Sequence, residues 1–484
     1  MPPSPRVIPI VAEPSGGDGG AMYAKEATIH PRAVHGWFAA WRWALVWGTQ
    51  LVFYGLPWLT WNARPAVLFD LGARRFYIFN LVLYPQDFIY LTGLLVISAY
   101  GLFLFTTVAG RLWCGYACPQ TVYTEIFMWV EHRLEGDRQA RIKLDNSPWN
   151  ANKIWRRASK HIVWAAIGLW TGFTFVGYFT PIRVLAAEAL SFGFGPWELF
   201  WIVFYGFATY GNAGFMREQV CKYMCPYARF QSVMFDRDTL VISYDEKRGE
   251  PRGSRARTAD KAALGLGDCV DCTLCVQVCP TGIDIRKGLQ YECIGCAACI
   301  DVCNGVMDKL NYPRGLIRYA TQHSLDQGGA APSWQTQLKR VLRPRVLAYS
   351  AGLLAISVGL AASLALRSPL RVDVVRDRGS LARLVGEGRV ENVYRLQVMN
   401  AAEASQRYRF SAVGIEGAQA ITRGETVLAG AESRWVPLVV QIGPEQAQAL
   451  GPGAHKLMLQ VTREAAAGQD AATVVEKTTF LVPR

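Results

Sequence analysis

The stretch Cys269–Cys303 contains two runs of cysteines, C-V-D-C-T-L-C-V-Q-V-C-P from Cys269 and C-I-G-C-A-A-C-I-D-V-C from Cys293. Each run has the spacing C-x2-C-x2-C-x3-C, which is typical of bacterial ferredoxins with two [4Fe–4S] clusters. Zinc ribbons use C-x2-C pairs instead of such triplets. Pro280 follows the first run, whereas Asn304 follows the second. The spacing therefore predicts a two-cluster ferredoxin domain over residues 268–320.

In this pattern, three close thiols hold one cluster and the fourth thiol of each run crosses to the other cluster. The cluster 1 site is therefore predicted to consist of Cys269, Cys272, Cys275 and Cys303. The cluster 2 site is predicted to consist of Cys293, Cys296, Cys299 and Cys279.

The composition indicates membrane segments beside soluble domains. The chain has 484 residues, of which 51% are hydrophobic and 12% aromatic, and its net charge is +13. All 12 cysteines precede residue 304, which suggests a reducing compartment for this part and a different one for the rest. Residues 1–36 are rich in Pro, Gly and Ser, and we expect a disordered cytoplasmic tail there.

Five stretches are long enough to cross a bilayer, which requires about 20 apolar residues. The predicted spans are Trp43–Trp61, Phe88–Gly110, Ile162–Ile182, Leu199–Met216 and Val346–Leu366. The first four belong to a transmembrane domain over residues 37–240, and the fifth is a separate helix over 346–366. Residues 241–267 and 321–345 are expected to be linkers, the first of them basic and, over 245–267, flexible. The apolar loop 62–87 is expected to lie on the outer membrane face.

The distribution of Lys and Arg predicts the orientation. Segment 111–160 carries nine of these residues and segment 217–345 carries nineteen, whereas 62–87 carries three and 183–198 carries one. Because basic loops face the cytoplasm, the N-terminus and the ferredoxin domain are expected inside and residues 368–484 outside. This arrangement explains the positive charge, so we expect membrane lipid and no nucleic acid as a partner.

The C-terminal region has the pattern of an all-β domain. Short alternating runs, among them Tyr408–Ile415 and Trp435–Ile442, are separated by Gly and Pro turn signals such as Gly451-Pro452-Gly453. This spacing predicts an immunoglobulin-like sandwich over residues 370–484, with a small barrel as the alternative.

The other four cysteines form two matching pairs, R-L-W-C-G-Y-A-C-P and R-E-Q-V-C-K-Y-M-C-P, which we call the quartet: Cys114, Cys118, Cys221 and Cys225. Each C-x3-C-P pair follows an even-numbered span, so residues 43–130 and 150–235 resemble two copies of a two-helix unit. A helix would place the thiols of each pair side by side, and the proline is expected to end or kink it at the second cysteine.

The quartet is a candidate metal or redox site. Thiolate sulfur favours Cu(I), zinc or an iron–sulfur cluster over hard cations, while a redox disulfide and simple packing remain alternatives. Arg111 and Arg217 precede the pairs as membrane anchors or as groups that favour thiolate. Met224, His132 and His161 are weaker ligand candidates, and Asp87 is expected to cap the second span. No nucleotide-binding motif is evident.

With these motifs in place, nearly the whole chain resembles the CcoG/FixG/RdxA family of cytochrome oxidase accessory proteins. The resemblance is carried by W-C-G-Y-A-C-P-Q-T at 113–121, C-K-Y-M-C-P-Y-A-R-F-Q-S at 221–232 and D-C-T-L-C-V-Q-V-C-P at 271–280. It implies a bacterial inner-membrane iron–sulfur protein that reduces Cu(II) to Cu(I) for a cbb-type oxidase. It also implies that the copper site is the quartet.

Two other functions stay open at this point. The C-x3-C-P and ferredoxin plan is shared with membrane quinol dehydrogenase modules, so a quinol-linked electron-transfer module is one alternative. The other is a non-enzymatic scaffold for oxidase assembly, with the outer sandwich as its binding domain. Expected partners are oxidase subunits or copper-delivery proteins and an electron donor that the sequence does not identify. A homodimer is also compatible with the sequence.

Overall fold

The computed structural model describes residues 29–62, 64–256, 259–326, 334–368, 370–377, 379, 382–422, 424–464 and 471–483. The described helices are α1 Trp37–Gly55, α2 Phe88–Ala109, α3 Leu112–Tyr116, α4 Pro119–Glu135, α5 Arg138–Asn146, α6 Ala151–Val176, α7 Ile182–Ser191, α8 Pro196–Gly214, α9 Arg217–Gln219, α10 Pro226–Met234, α11 Glu246–Gly249, α12 Leu274–Gln277, α13 Ala298–Leu310, α14 Gln322–Asp326, α15 Trp334–Val341, α16 Pro344–Ala365 and α17 Pro444–Leu450.

The described strands are β1 Thr60–Trp61, β2 Arg64–Pro65, β3 Val67–Asp70, β4 Arg75–Ile78, β5 Leu81–Leu83, β6 Val241–Tyr244, β7 Ile317–Ala320, β8 Leu370–Arg376, β9 Arg383–Val385, β10 Arg389–Asn400, β11 Gln406–Val413, β12 Gln419–Thr422, β13 Thr426–Leu428, β14 Ser433–Ile442, β15 Gly453–Arg463 and β16 Ala472–Val482. The chain forms two compact units, one of them the chain up to Thr60 with Thr92–Ser357 and the other Trp61–Leu91 with Val358–Arg484.

Two helices among the described residues are long and apolar enough to cross a membrane, Pro85–Ala109 (including the 3₁₀ turn before α2) and Pro344–Ala365. They match the second and fifth predicted spans. The other three predicted spans correspond to helices α1, α6 and α8, which do not reach this combination of length and hydropathy, so that these three cross the membrane stays a prediction.

The helical part of the first unit is built on close helix packing. Helices α6 and α8 approach closely at glycines, because a Cβ at Gly168 would lie 2.7 Å from the carbonyl oxygen of Gly206 and a Cβ at Gly172 would lie even closer to that of Ile202. Trp164 of α6 is buried against Phe127 of α4, with the rings stacked 5.1 Å apart. This packing fixes α4 and α8, and the two C-x3-C-P motifs adjoin these helices.

The ferredoxin domain of the first unit is larger than the sequence indicated. Strand β6 pairs antiparallel with β7, from Val241 opposite Ala320 to Tyr244 opposite Ile317. The prediction of a linker is therefore wrong at 241–244, because the backbone hydrogen bonds of these residues complete a sheet. Arg248 and Lys261 both bind Asp268, at 2.5 Å each, so much of the remaining segment also packs on the domain. The predicted linker 321–345 is partly helical, in α14 and α15.

The end of the predicted N-terminal tail is ordered, while residues 1–28 lie outside the described residues. The backbone N–H of Arg32 donates to the carbonyl oxygen of Gln277 (2.8 Å) in the ferredoxin domain. In the first turn of α1, the backbone N–H of Ala39 donates to Asp301 Oδ2 at 2.8 Å. The carboxylate of Asp301, which belongs to the ferredoxin domain, therefore caps this helix. The prediction of disorder is therefore wrong for residues 29–36, which dock on this domain.

The second unit contains the predicted sandwich. One sheet has the strand order β12-β14-β10-β8 with β9 on β10, and the other has the order β13-β11-β15-β16. Fully buried Leu396, Leu438, Leu459 and Phe480 pack between them. Asn392 joins the sheets, since its side chain donates to Leu481 O (2.8 Å) and accepts from Leu481 N (2.9 Å). Two packed sheets with separate edges confirm the sandwich over the barrel.

Residues 61–87 pack against this sandwich. Strands β3, β4 and β5 form a small antiparallel sheet, and Tyr84 donates from its hydroxyl to Asn400 O at 2.9 Å. The carboxylate of Asp87 is buried between Arg367 (2.6 Å) and Arg371 (3.1 Å) and accepts from the backbone N–H of Tyr84 (3.0 Å). The expectation that Asp87 is the N-cap of the second span is wrong: Tyr84 is the N-cap of the turn before α2, and Asp87 is the third residue of that turn and completes a capping box. The loop has its own sheet and buried core, which the prediction of a membrane-surface loop did not include.

Candidate metal and electron-transfer site

The eight cysteines of the ferredoxin domain line two neighbouring cavities. The first cavity is walled by all four cysteines of the cluster 1 site. The second is walled by all four of the cluster 2 site, with Cys275 at its edge. The first turns of α12 and α13 follow residues with left-handed backbone, Thr273 (φ 55°) and Ala297 (φ 59°). These turns fold each triplet around its cavity.

The donor chemistry of these cavities fits [4Fe–4S] clusters. Burial raises the pKa of Cys275 to about 11 and the pKa values of Cys293 and Cys303 to about 12. Such thiols would stay protonated on their own, whereas a bound metal deprotonates its cysteine ligands. Eight sulfurs converging on two apolar cavities are therefore suited to two clusters, which when bound would each accept and release one electron.

The two C-x3-C-P motifs have the same local structure. The backbone N–H of Cys118 donates to Trp113 O (3.0 Å), and that of Cys225 donates to Val220 O (2.8 Å). Each bond spans five residues, so both motifs end in a wide π-type turn, a feature often found at functional sites. Cys118 and Cys225 are extended N-cap residues, and the prolines after them start α4 and α10. The prolines therefore end one helix and begin another, and the expected regular helical placement of both thiols is wrong.

The quartet is brought together from these two motifs. Burial raises the pKa of Cys221 to about 12, and each of the other three thiols raises it further through electrostatic repulsion. Burial likewise raises the pKa of Cys114 to about 11, although Gln231 accepts a hydrogen bond from its thiol at 3.5 Å. Within the described ranges, no three Cys, His, Asp or Glu side chains are placed to hold one metal ion.

The quartet lies directly beside the cluster 2 site. A Cβ at Gly115 would lie 2.7 Å from the carbonyl of Gly295 and 2.8 Å from the Cα of Cys296, so the two backbones touch here. Cys114 and Cys221 pack against the apolar group that contains Cys296. Cys221 and Cys296 also line one small cavity. The cluster 2 site is thus in van der Waals reach of the quartet.

Arg111 bridges the quartet and the cluster 2 site. Its guanidinium donates to the carbonyl oxygens of Tyr291, Cys293 (3.4 Å) and Ala228. The residue is 6% exposed, and burial lowers its pKa while the Cys114 and Cys293 sulfurs oppose that effect. The membrane-anchor interpretation of Arg111 is therefore wrong, because its charge points into the protein between two sets of sulfurs.

Arg217 is also internal instead of a membrane anchor. It binds Glu131 at 2.9 Å, and Glu131 additionally binds Arg141 (2.8 Å) and Lys160 (3.6 Å). Burial would raise the pKa of Glu131, but Arg217 and the other cations hold it below its usual value. Gln120, just after Cys118, donates to the carbonyl oxygens of Arg217 (3.2 Å) and Asn212 (3.0 Å). These contacts connect the first motif to the second.

Sequence reasoning missed Gln120, Gln231 and Glu131, because their partners lie far away along the chain. The available signal was weak: Glu131 is an acidic residue in the helix after Cys118, and Arg217 opens the second motif. Of the weaker candidates, Met224 is 57% exposed. His161 stacks on Phe215 and hydrogen-bonds the Tyr210 hydroxyl at 2.9 Å, so it serves packing.

Known protein families match the parts of the chain that contain the cysteines and the sandwich. A family model described as "4Fe-4S dicluster domain" matches residues 216–322, "4Fe-4S binding domain" matches 91–136, and "IG-like fold at C-terminal of FixG" matches 360–483. Nitrogen fixation protein FixG of Rhizobium meliloti (strain 1021) is 39% identical over 450 residues, which cover 87% of this chain and 85% of that protein. The chain belongs to the FixG/RdxA family.

A second protein relative and one solved structure also match the chain. Protein RdxA of Cereibacter sphaeroides is 39% identical over 416 residues, covering 84% of this chain and 87% of RdxA. The crystal structure of a FixG-related protein from Vibrio parahaemolyticus is 22% identical, covers 24% of this chain and 97% of that one, and has a TM-score of 0.20. As a FixG/RdxA-family protein, the chain has 4Fe–4S-binding domains whose matched regions contain all 12 cysteines, together with the C-terminal Ig-like domain.

Proposed function

We propose that this FixG/RdxA-family protein is a membrane oxidoreductase that reduces Cu(II) to Cu(I) at the quartet, with electrons supplied through the ferredoxin domain. The Cu(I) would serve assembly of the copper centre of a cbb-type oxidase. The observation that carries the proposal is the backbone contact between Gly115 and Gly295, together with the small cavity shared by Cys221 and Cys296. Electron transfer depends on closeness, and these contacts bring the quartet next to the cluster 2 site.

The chemistry of the quartet supports copper as the substrate. Soft thiolates stabilise Cu(I) relative to Cu(II), so binding to them makes Cu(II) a better oxidant. Cu(I) accepts two thiolates, and we propose that neighbouring quartet cysteines supply them in turn. Because burial raises the pKa values of Cys114 and Cys221, each Cu–S bond formed near neutral pH releases a proton. One electron then converts bound Cu(II) to Cu(I).

We propose a topology with all five predicted helices in the inner membrane, the ferredoxin domain in the cytoplasm and the Ig-like domain in the periplasm. The two apolar helices and the excess of basic residues in 111–160 and 217–345 support it. A domain without cysteine outside the membrane is suited to binding oxidase subunits or copper-delivery proteins. Deletion of residues 372–484 should then retain copper reduction and abolish oxidase assembly.

The direct test replaces the four quartet cysteines with serine in the full-length protein. Reoxidation of dithionite-reduced clusters by Cu(II) should slow by at least about a hundredfold, with iron content and the EPR signals of both clusters retained. Met224→Leu is a suitable control, since its side chain is next to Cys225 but exposed, and it should leave the rate unchanged. An unchanged rate in the serine variant would exclude the quartet as the copper site.

A quinol-linked function makes a different prediction. In that case quinone would bleach the reduced clusters, copper would not, and the serine variant would respond to both reagents as the unmodified protein does. The same stopped-flow experiment with a water-soluble quinone in place of copper therefore separates the two functions.

A further inference from the structure

An unassigned cavity of the first unit lies beside the ferredoxin domain, between α1, α4 and the ordered segment 31–36. Its volume is about 360 Å³. A metal ion with six bound waters, each of about 30 Å³, would fit within this volume. Polar and sulfur-bearing lining residues include His35, Glu125, Met128 and His132. Pro280, next to the cluster 2 ligand Cys279, forms part of the wall.

This outer cavity adjoins the small inner cavity that contains Cys221 and Cys296. Four residues line both, and they therefore form the partition between the two: Arg42, Glu125, Met128 and Pro280. The side chains of Arg42 and Glu125 form an ion pair across 3.4 Å and are 7% and 15% exposed. A small solute in the outer cavity is thus separated from the inner cavity, which Cys221 lines, by these four residues.

The side chains that line the outer cavity include ligands that prefer Cu(II) as well as a ligand that prefers Cu(I). Glu125, Met128 and His132 are at positions i, i+3 and i+7 of α4 and so share one face. Imidazole and carboxylate groups bind Cu(II), whereas thioether and thiolate sulfur prefer Cu(I). The Nδ1 atom of His132 is buried and, among the described residues, has no hydrogen-bond partner, with the Asp137 carboxylate 4.0 Å away.

Carboxylates beside the arginines of the cavity reduce the repulsion that a cation would meet there. Arg141 binds Glu131 at 2.8 Å, and Arg32 lies 3.8 Å from Asp137. Arg42 has the Glu125 partner described above. Because Glu131 is shared with Arg217 and Lys160, the positive charge on the lining is offset only in part.

We propose that the outer cavity is the entrance through which Cu(II) reaches Cys221, with the Arg42–Glu125 pair and Met128 as its gate. This inference rests on the proposed copper reduction at the quartet. Cu(II) exchanges water for imidazole and carboxylate in the outer cavity and then passes Met128. At Cys221 a Cu–S bond forms, the thiol proton leaves, and one electron from the ferredoxin domain yields Cu(I).

The first test fills the cavity without changing any ligand. Ala40 is exposed on α1 and lines the cavity, whereas Ala44 is exposed on the same helix and does not line it. In full-length protein, Ala40→Phe should slow Cu(II)-dependent cluster reoxidation by at least about tenfold, with the final copper stoichiometry unchanged. Ala44→Phe should have no effect. Equal rates in the two variants would overturn the inference while the quartet-to-serine result still stands.

A second readout is independent of copper turnover. The rate at which N-ethylmaleimide labels Cys221, followed by peptide mass spectrometry, should fall at least about fivefold in Ala40→Phe and stay constant in Ala44→Phe. Labelling of Cys221 at the unmodified rate would show that this cysteine is reached by another route and would overturn the proposal.

Met128 tests the gate itself. Met128→Leu keeps the approximate volume but removes the thioether, and we expect copper-dependent reoxidation about three- to tenfold slower with maleimide labelling of Cys221 unchanged. Slower labelling, or no change in either rate, would contradict a ligand role for the sulfur. If Ala40→Phe blocked bleaching by a soluble quinone and left the copper rate intact, the cavity would belong to a quinol and the proposal would fail.

Discussion

The two cluster sites have similar cysteine spacing but different surroundings. In the cluster 1 site, Cys272 is exposed, and it is the one exposed cysteine of the eight. In the cluster 2 site, Cys296 is buried and faces the backbone of Gly115 in the first C-x3-C-P motif. For the proposed electron transfer we infer a direction from this difference, in which electrons enter at the solvent-facing cluster 1 site and leave through the cluster 2 site toward the quartet.

The largest effect is expected where the cluster 2 site meets the quartet. In Gly115→Ala, the new methyl group meets the backbone of Gly295 and Cys296 at 2.7–2.8 Å, and neither can move freely. Overpacking of this kind costs about 1–3 kcal/mol, and here it would separate the two loops. We expect copper-dependent reoxidation to fall by at least about tenfold, measured by stopped-flow absorbance.

Gly305→Ala provides the matched control. Gly305 lies on α13 in the same domain, and a Cβ there would meet nothing within 4 Å. This variant should retain the full rate and gain up to about 1 kcal/mol of helix stability. A Gly115→Ala protein as fast as Gly305→Ala would show that the backbone contact does not determine the transfer rate.

The next effect concerns the reduction potential of cluster 2 only. Arg111 places a buried positive charge beside Cys293, and a nearby cation favours the more negative, reduced form of a cluster. Arg111→Met should therefore lower the cluster 2 potential by about 60 mV, a tenfold change in a one-electron equilibrium. The cluster 1 potential should not change, and Arg111→Lys should give a smaller shift. EPR redox titration measures both, and equal shifts in the two clusters would contradict this placement of the charge.

The smallest expected effect is a difference between the two clusters in the rate at which oxygen destroys them. Because Cys272 is exposed, oxygen should destroy cluster 1 a few times faster than cluster 2, as followed by the two EPR signals in air. Cys272→Ser should further weaken cluster 1 and leave the cluster 2 spectrum intact. Loss of cluster 2 before cluster 1 would reverse the proposed order of electron flow.

The sequence predicted the features that depend on local spacing. The spacing of the two cysteine runs predicted the ferredoxin domain. Short alternating apolar and polar runs, separated by Gly and Pro turns, predicted the sandwich. Contacts between distant segments had no such signal. Nothing near Gly115 indicates that it packs on Gly295, and nothing in residues 29–36 indicates that they dock on the ferredoxin domain. Lys and Arg counts suggested Arg111 as a membrane anchor, because charge alone does not distinguish a buried cation from a surface one.

The quartet was also only partly predictable. The repeated C-x3-C-P spacing identified its four residues, but a regular helix was the wrong geometry for them. The wide turns at Cys118 and Cys225 depend on the prolines and on distant partners such as Gln120 and Glu131. The proposed path of copper past Met128 depends on helix packing and could not be read from the sequence.

The central claim, that the quartet reduces copper with electrons from the neighbouring cluster 2 site, is tested most directly by one measurement. Fully reduced, full-length protein is mixed with Cu(II) and the two cluster EPR signals are followed by freeze-quench, in the unmodified protein and in the quartet-to-serine variant. The account predicts that both clusters are oxidised by copper in the unmodified protein and that both stay reduced at least about a hundred times longer in the variant. Oxidation at the same rate in both proteins would contradict it.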